Sequence, residues 1–115
     1  MSTKTETLDL GGEPSSAGGG AGLVTLYAPD PAAVPSAFVL PEHALVLGRE
    51  PPPGGLALPF FSLSRVHARL ARRGAAIELE DLESRNGSFV NGSRVERAVL
   101  EHGDELRVGE VVFSW

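Results

Sequence analysis

The strongest constraint on how this chain can fold is its punctuation. Short apolar runs follow one another, each ended by glycine, proline or asparagine, with no room for a long helix between them. Asn91-Gly92 is the clearest stop. A type I′ turn needs positive φ at both central residues, and this dipeptide supplies them. It predicts a hairpin between Ser88–Val90 and Ser93–Val95. Arg73-Gly74 likewise separates His67–Arg72 from Ala75–Asp81, whose alternation puts Ile77 and Leu79 on one face. Gly109-Glu110 separates Glu105–Val108 from Val111–Trp115. Nearer the N-terminus, Leu23–Tyr27 is a strand stopped by Pro29 and Pro31. Ala37–Leu40 and Ala44–Leu47 read as the next pair, joined by a turn at Pro41-Glu42-His43. The breaker-rich loop Pro51–Gly55 precedes a short strand at Leu56–Leu58. No segment sustains helical periodicity. The pattern predicts an all-β sandwich or barrel of about ten to eleven short, mostly antiparallel strands.

A chain of 115 residues has room for one domain with one core. Residues 1–22 contain GGEPSSAGGGAG, which has nothing to bury, and are expected to form a flexible tail ahead of a domain over residues 23–115. The absence of cysteine removes a disulfide framework, a thiolate zinc site and a cysteine nucleophile together. A net charge of -5 argues against general nucleic-acid binding, which needs a basic face. No stretch approaches the roughly 20 apolar residues of a membrane span, and Met1–Leu10 lacks the order of a signal peptide. A soluble cytoplasmic protein is expected. Arginine far outnumbers lysine, and with abundant alanine, glycine and proline this suggests a GC-rich bacterial genome. The chain ends on an apolar strand, as a module of a longer protein would.

Within this acidic chain, Arg49, Arg65, Arg69, Arg72, Arg73 and Arg85 form a basic run. Such a run is ordinarily a solvated strand face; the alternative is a local anion site. Three stretches at strand ends bear on the choice: Gly48-Arg49, Ser64-Arg65-Val66-His67, and Ser84-Arg85-Asn86-Gly87-Ser88. Each alone has an ordinary explanation, as a surface charge or a turn. Their order and spacing, with the second Asn-Gly at Asn91, Asp81-Leu82, Leu100, Gly103-Asp104, Leu106 and Gly109, resemble the forkhead-associated (FHA) domain family from Leu23 to Trp115.

The resemblance implies an FHA-type β-sandwich with its binding loops at one end. It also implies a non-catalytic module, without cofactor or metal, that binds phosphothreonine-containing proteins in a pathway with a Ser/Thr kinase. Arg49 is then expected to contact the phosphate and orient the peptide, Ser64 to donate its hydroxyl, and Arg65 to add a second contact. Asn86 is expected to bond the peptide main chain. Arg85, where many relatives carry threonine or serine, is expected to touch the phosphate or help select flanking residues. The chemistry agrees: a phosphothreonine carries close to two negative charges and three acceptor oxygens, and a planar guanidinium can donate two parallel bonds to it. Gly48, His67, Gly87 and Asn91 are expected to act as structural support.

Three further readings accompany this one. Ser64, His67 and Asp81 supply the residue types of a hydrolytic triad, but no nucleophile elbow is present. An FHA-like scaffold used for phosphate-independent interaction or self-association would share the fold. Thr7, with Leu10 three positions on, is a candidate phosphosite through which the tail would occupy the domain's own site. Pro59-Phe60-Phe61 departs from the more polar residues of relatives, and its phenylalanines are either core or an apolar lip beside the site.

Overall fold

The computed structural model describes residues 22–115. Eleven strands run along this stretch: β1 Gly22–Tyr27, β2 Ala37–Val39, β3 Leu45–Gly48, β4 Leu56–Ala57, β5 Ala68–Arg73, β6 Ala76–Asp81, β7 Ser88–Val90, β8 Ser93–Val95, β9 Arg97–Leu100, β10 Glu105–Val108 and β11 Val111–Ser114. A single 3-10 turn at Pro31–Ala33 is capped by Asp30, whose carboxylate accepts from Ala32 N. Of the tail assigned to residues 1–22, only Gly22 is described, and it opens β1; Thr7 also lies outside the described residues.

Two sheets face each other. One has six strands in the order β2-β1-β11-β10-β7-β8, the other five in the order β4-β3-β5-β6-β9. All pairs are antiparallel except β3 with β4. Alternation sorts the faces, since successive side chains point to opposite sides of a strand. In β10, Leu106 and Val108 are buried while Glu105 and Arg107 are exposed. In β6, Ile77 and Leu79 are fully buried, as their spacing predicts. Leu47, Leu70, Leu100 and Phe113 complete the middle of the core, with Phe38 edge-on to Phe113 at 5.5 Å.

Two strand assignments from sequence are corrected. Ala37–Leu40 and Ala44–Leu47 do not pair with each other: β2 pairs with β1 in the six-stranded sheet, and β3 with β4 and β5 in the other. The short link around Pro41 is a corner between sheets, anchored by buried Leu40 and Leu45. Pro41 has no N–H to offer a hairpin ladder. The second correction is β9, which sequence reading omits. Only Glu96 separates β8 from β9, yet Val95 pairs with Ser88 in one sheet and Arg97 with Glu80 in the other.

Register places the loops. Leu47 lies opposite Ala68, Ala68 opposite Asp81, and Val108 opposite both Ser88 and Val111. The segments 49–55, 58–67, 82–87 and 109–110 therefore emerge at one end of the sandwich. The hairpin turns at 74–75 and 91–92 close the other.

Candidate functional site

The end formed by these loops is stitched together by backbone and hydroxyl groups. Beyond β3 the chain continues alongside the segment before β5: Arg49 N donates to Ser64 O at 2.9 Å and Glu50 N to Arg65 O at 3.0 Å. This contact is so close that a Cβ on Gly48 would sit 2.1 Å from the Arg65 carbonyl oxygen. Gly48 thus serves close backbone approach rather than an unusual φ. Ser64 is the junction. Its Oγ accepts from Arg85 N at 3.0 Å, joining the loop before β5 to the loop before β7. That bond uses a lone pair and leaves the hydroxyl hydrogen available to an external acceptor.

His67 is fully buried beneath this junction. Ser64 N donates to its Nδ1 at 3.1 Å, and its Nε2 lies 2.8 Å from Gly87 O. A backbone donor at Nδ1 places the ring proton on Nε2, which donates to Gly87 O. The imidazole thereby bridges the two loops. Gly87 has φ +90, the left-handed region that disfavours a side chain, and a Cβ there would also press on the Arg94 guanidinium. Both ring nitrogens of His67 are bonded to backbone, while Asp81 bonds Ser84 and Ser88, so Ser64, His67 and Asp81 do not form a nucleophile–base–carboxylate relay. Among the described residues no group of three or more His, Cys, Asp or Glu is placed to hold a metal ion.

The six arginines of the basic run separate by position. Arg69 and Arg73 lie on β5 and pair with Glu80 and Glu78 of β6, each at 3.0 Å, the ordinary solvated-face arrangement. The loop arginines differ. Arg49 and Arg85 have no carboxylate within ion-pair distance among the described residues, and Arg65 has only Glu50, at 3.7 Å with both side chains well exposed. The backbones of Arg49, Arg65 and Arg85 all meet at or beside Ser64. Asn86 Nδ2 donates to Ser62 O at 2.9 Å, which fixes the amide at the rim; among the described residues its Oδ1 has no partner. Asn91 lies at the opposite end. With φ 49 it forms the predicted turn, bonding Asp104 and Glu105.

Sequence reading missed the carboxylate that holds the Arg85–Asn86 loop. Asp81 accepts from the hydroxyls of Ser84 and Ser88 and from Ser84 N, and Ser84 Oγ in turn accepts from Gly87 N at 3.0 Å. The Asp81-x-x-Ser84 spacing, a turn signature in which a carboxylate caps local donors, was the available signal. Ser62 was missed too. Its carbonyl takes Asn86 and its Oγ accepts from Glu110 N at 3.1 Å, which joins the β10–β11 turn to the site.

Burial pushes the Asp81 carboxyl up, but the Ser84 and Ser88 hydroxyls and the Ser84 amide outweigh it and hold it below the usual aspartate value of 3.8. A depressed carboxylate stabilises the fold above its unfolded value, and that contribution disappears as pH falls through the lower folded value. Asp81→Asn is expected to cost about 1–3 kcal/mol at neutral pH, because an amide nitrogen then meets donors it cannot accept from. Denaturant melts across pH should show the gap to wild type narrowing below 3.8. A gap that stays constant into strong acid would contradict the assigned role.

The sequence and the fold both have relatives among known proteins. The FHA domain family profile matches residues 45–109. The chain is 35% identical over 75 residues to the oxoglutarate dehydrogenase inhibitor of Corynebacterium jeikeium, covering 65% of this chain and 51% of that one. Its identity to the glycogen accumulation regulator GarA of Mycolicibacterium smegmatis is also 35% over 75 residues, covering 65% and 47%. The chain thus spans about half the length of these relatives. Among solved structures, a chain from a structural and functional analysis of phosphothreonine-dependent FHA domain interactions superposes with a TM-score of 0.68 at 27% identity, covering 81% of this chain and 91% of that one.

Proposed function

The chain belongs to the FHA domain family, and from that membership we propose that its loop end recognises a phosphothreonine-bearing segment of a partner protein, without chemistry of its own. The observation that carries this reading is Ser64. The backbones of two arginine-bearing loops meet on this one residue, and its hydroxyl keeps a hydrogen for an incoming acceptor. A phosphate dianion at that point would find the Arg49 fork from one loop, Ser64 and Arg65 from the second and Arg85 from the third. Charge-assisted bonds of this kind are the strong ones. Asn86 Oδ1 is suited to accept a peptide N–H beside the phosphothreonine, with Nδ2 already held by Ser62. Threonine is preferred to serine in this reading because its methyl adds apolar contact against the loop walls.

Glu50 opposes phosphate at Arg65, so the site is tuned by one local carboxylate as well as by its cations. A Ser/Thr kinase must act upstream, and the cytoplasm is the compartment in which module, kinase and partner would meet. The names of the two relatives describe an inhibitor and a regulator. By analogy this module would deliver phosphorylation-dependent contact within a regulatory protein. Titrating the domain with matched peptides carrying phosphothreonine, phosphoserine and threonine tests the reading. Affinity should fall in that order, with threonine bound least. Equal affinity for all three would favour a phosphate-independent scaffold.

A further inference from the structure

Phe61 is 88% exposed, the most exposed large apolar side chain among the described residues. The paired phenylalanines of the loop before β5 therefore divide: Phe60 packs against the core while Phe61 stands in solvent. Its backbone is not loose. Leu63 N donates to Phe60 O at 3.0 Å, so Phe61 and Ser62 are the corner residues of a β-turn. That turn is pinned by Phe60 before it, by fully buried Leu63 after it, and by the bonds of Ser62 to Asn86 and Glu110. The ring also lies beside the phosphate-facing cation, with the Arg49 guanidinium carbon 5.9 Å from its centroid. A rigidly mounted aromatic at the edge of a cationic site is a preorganised anchor, since little backbone entropy is lost when something packs on it.

We propose that Phe61 selects an apolar side chain flanking the phosphothreonine in the bound segment, an inference that rests on the phosphothreonine reading above. Charge narrows the choice of occupant. Arg49, Arg65 and Arg85 surround the site, so a basic flanking residue meets like charge. An acidic one gains from that field but would have to desolvate against the negative face of the ring. An aliphatic or aromatic side chain loses nothing to either and gains burial on Phe61.

The test uses an array of peptides with a central phosphothreonine, in which each flanking position is in turn leucine, aspartate or lysine on an alanine background. The readout is the ratio of affinities within one protein, which cancels any general change in binding. Wild type should favour leucine over alanine at one flanking position by about tenfold. In Phe61→Ala that ratio should fall to near one, and Phe61→Leu should retain most of it. A leucine preference that survives Phe61→Ala, or a wild-type preference for aspartate or lysine, would overturn the proposal while leaving phosphothreonine recognition intact. Failure of wild type to distinguish phosphothreonine from threonine would overturn both.

Discussion

Arg49→Ala is expected to abolish measurable phosphopeptide binding while leaving the melting transition of the domain where it was. The two halves of this result have separate causes. The Arg49 amide, which bonds Ser64 O, is kept in the variant. Its side chain makes no ion pair among the described residues and only borders Phe61 at 5.9 Å, so its loss leaves no structural partner stranded. Substitutions free of such features usually change stability by within about 0.5 kcal/mol. In the proposed complex the guanidinium would be the counter-charge of a desolvated dianion. Removing one side of such a pair costs on the order of 2–5 kcal/mol, or about 30- to 5,000-fold in affinity. Arg49→Lys should recover only part of the loss, because a single ammonium lacks the two-pronged donor geometry. Calorimetric titration beside thermal melts measures both halves. Arg49→Ala binding like wild type would remove Arg49 from the site.

Gly48→Ala is expected to damage fold and site together. The added Cβ would lie 2.1 Å from the Arg65 oxygen and 2.8 Å from its carbonyl carbon. Both are backbone atoms, so no rotamer change relieves the clash. Either β3 or the Ser64–Arg65 segment must move, and the amide bonds of Arg49 and Glu50 go with it. Forced overpacking and lost buried bonds together should cost about 2–4 kcal/mol of stability, with phosphopeptide binding lost in whatever remains folded. Gly74→Ala is the control. It has φ +63 but nothing within 4 Å, and it sits in a turn at the far end of the sandwich. Its cost should be only about 1 kcal/mol, from left-handed backbone strain alone, with binding unaffected. Urea denaturation of the two variants makes the comparison. Equal effects would contradict the close-approach role of Gly48.

What could be read in the sequence was local. Asn91-Gly92, Gly74 and Gly109-Glu110 set their hairpins through the φ angles they permit, and those strands lie where expected, except that the β5–β6 turn falls one residue later, at Gly74-Ala75, with Arg73 inside β5. Sheet membership was not local. Whether β2 pairs with β1 or β3 depends on how Leu40 and Leu45 bury across a corner, and no turn residue marks the crossing from β8 to β9 at Glu96. The site divides in the same way. Arg49, Ser64 and Asn86 stood out because three dispersed motifs occurred in order. Gly48 reads in the sequence only as structural support; the constraint on it, the Arg65 carbonyl, lies seventeen positions away and leaves no trace in neighbouring residues. Ser62 acts through Asn86 and Glu110, partners brought near only by the fold, whereas Asp81 works within its own loop and was marked only by its spacing to Ser84. Arg69 and Arg73 could not be told from the loop arginines until Glu80 and Glu78 were placed across the strand.

The central claim is that a phosphothreonine docks where the loops meet at Ser64. Its most direct test is the backbone-amide NMR footprint of the domain as a phosphothreonine peptide is added. Shifts concentrated in Gly48–Glu50, Ser62–His67 and Arg85–Gly87, and absent when the same peptide lacks its phosphate, are the predicted result. The same footprint with the unphosphorylated peptide, or shifts centred on the exposed Val24, Leu26 and Val39 of β1 and β2, would contradict it.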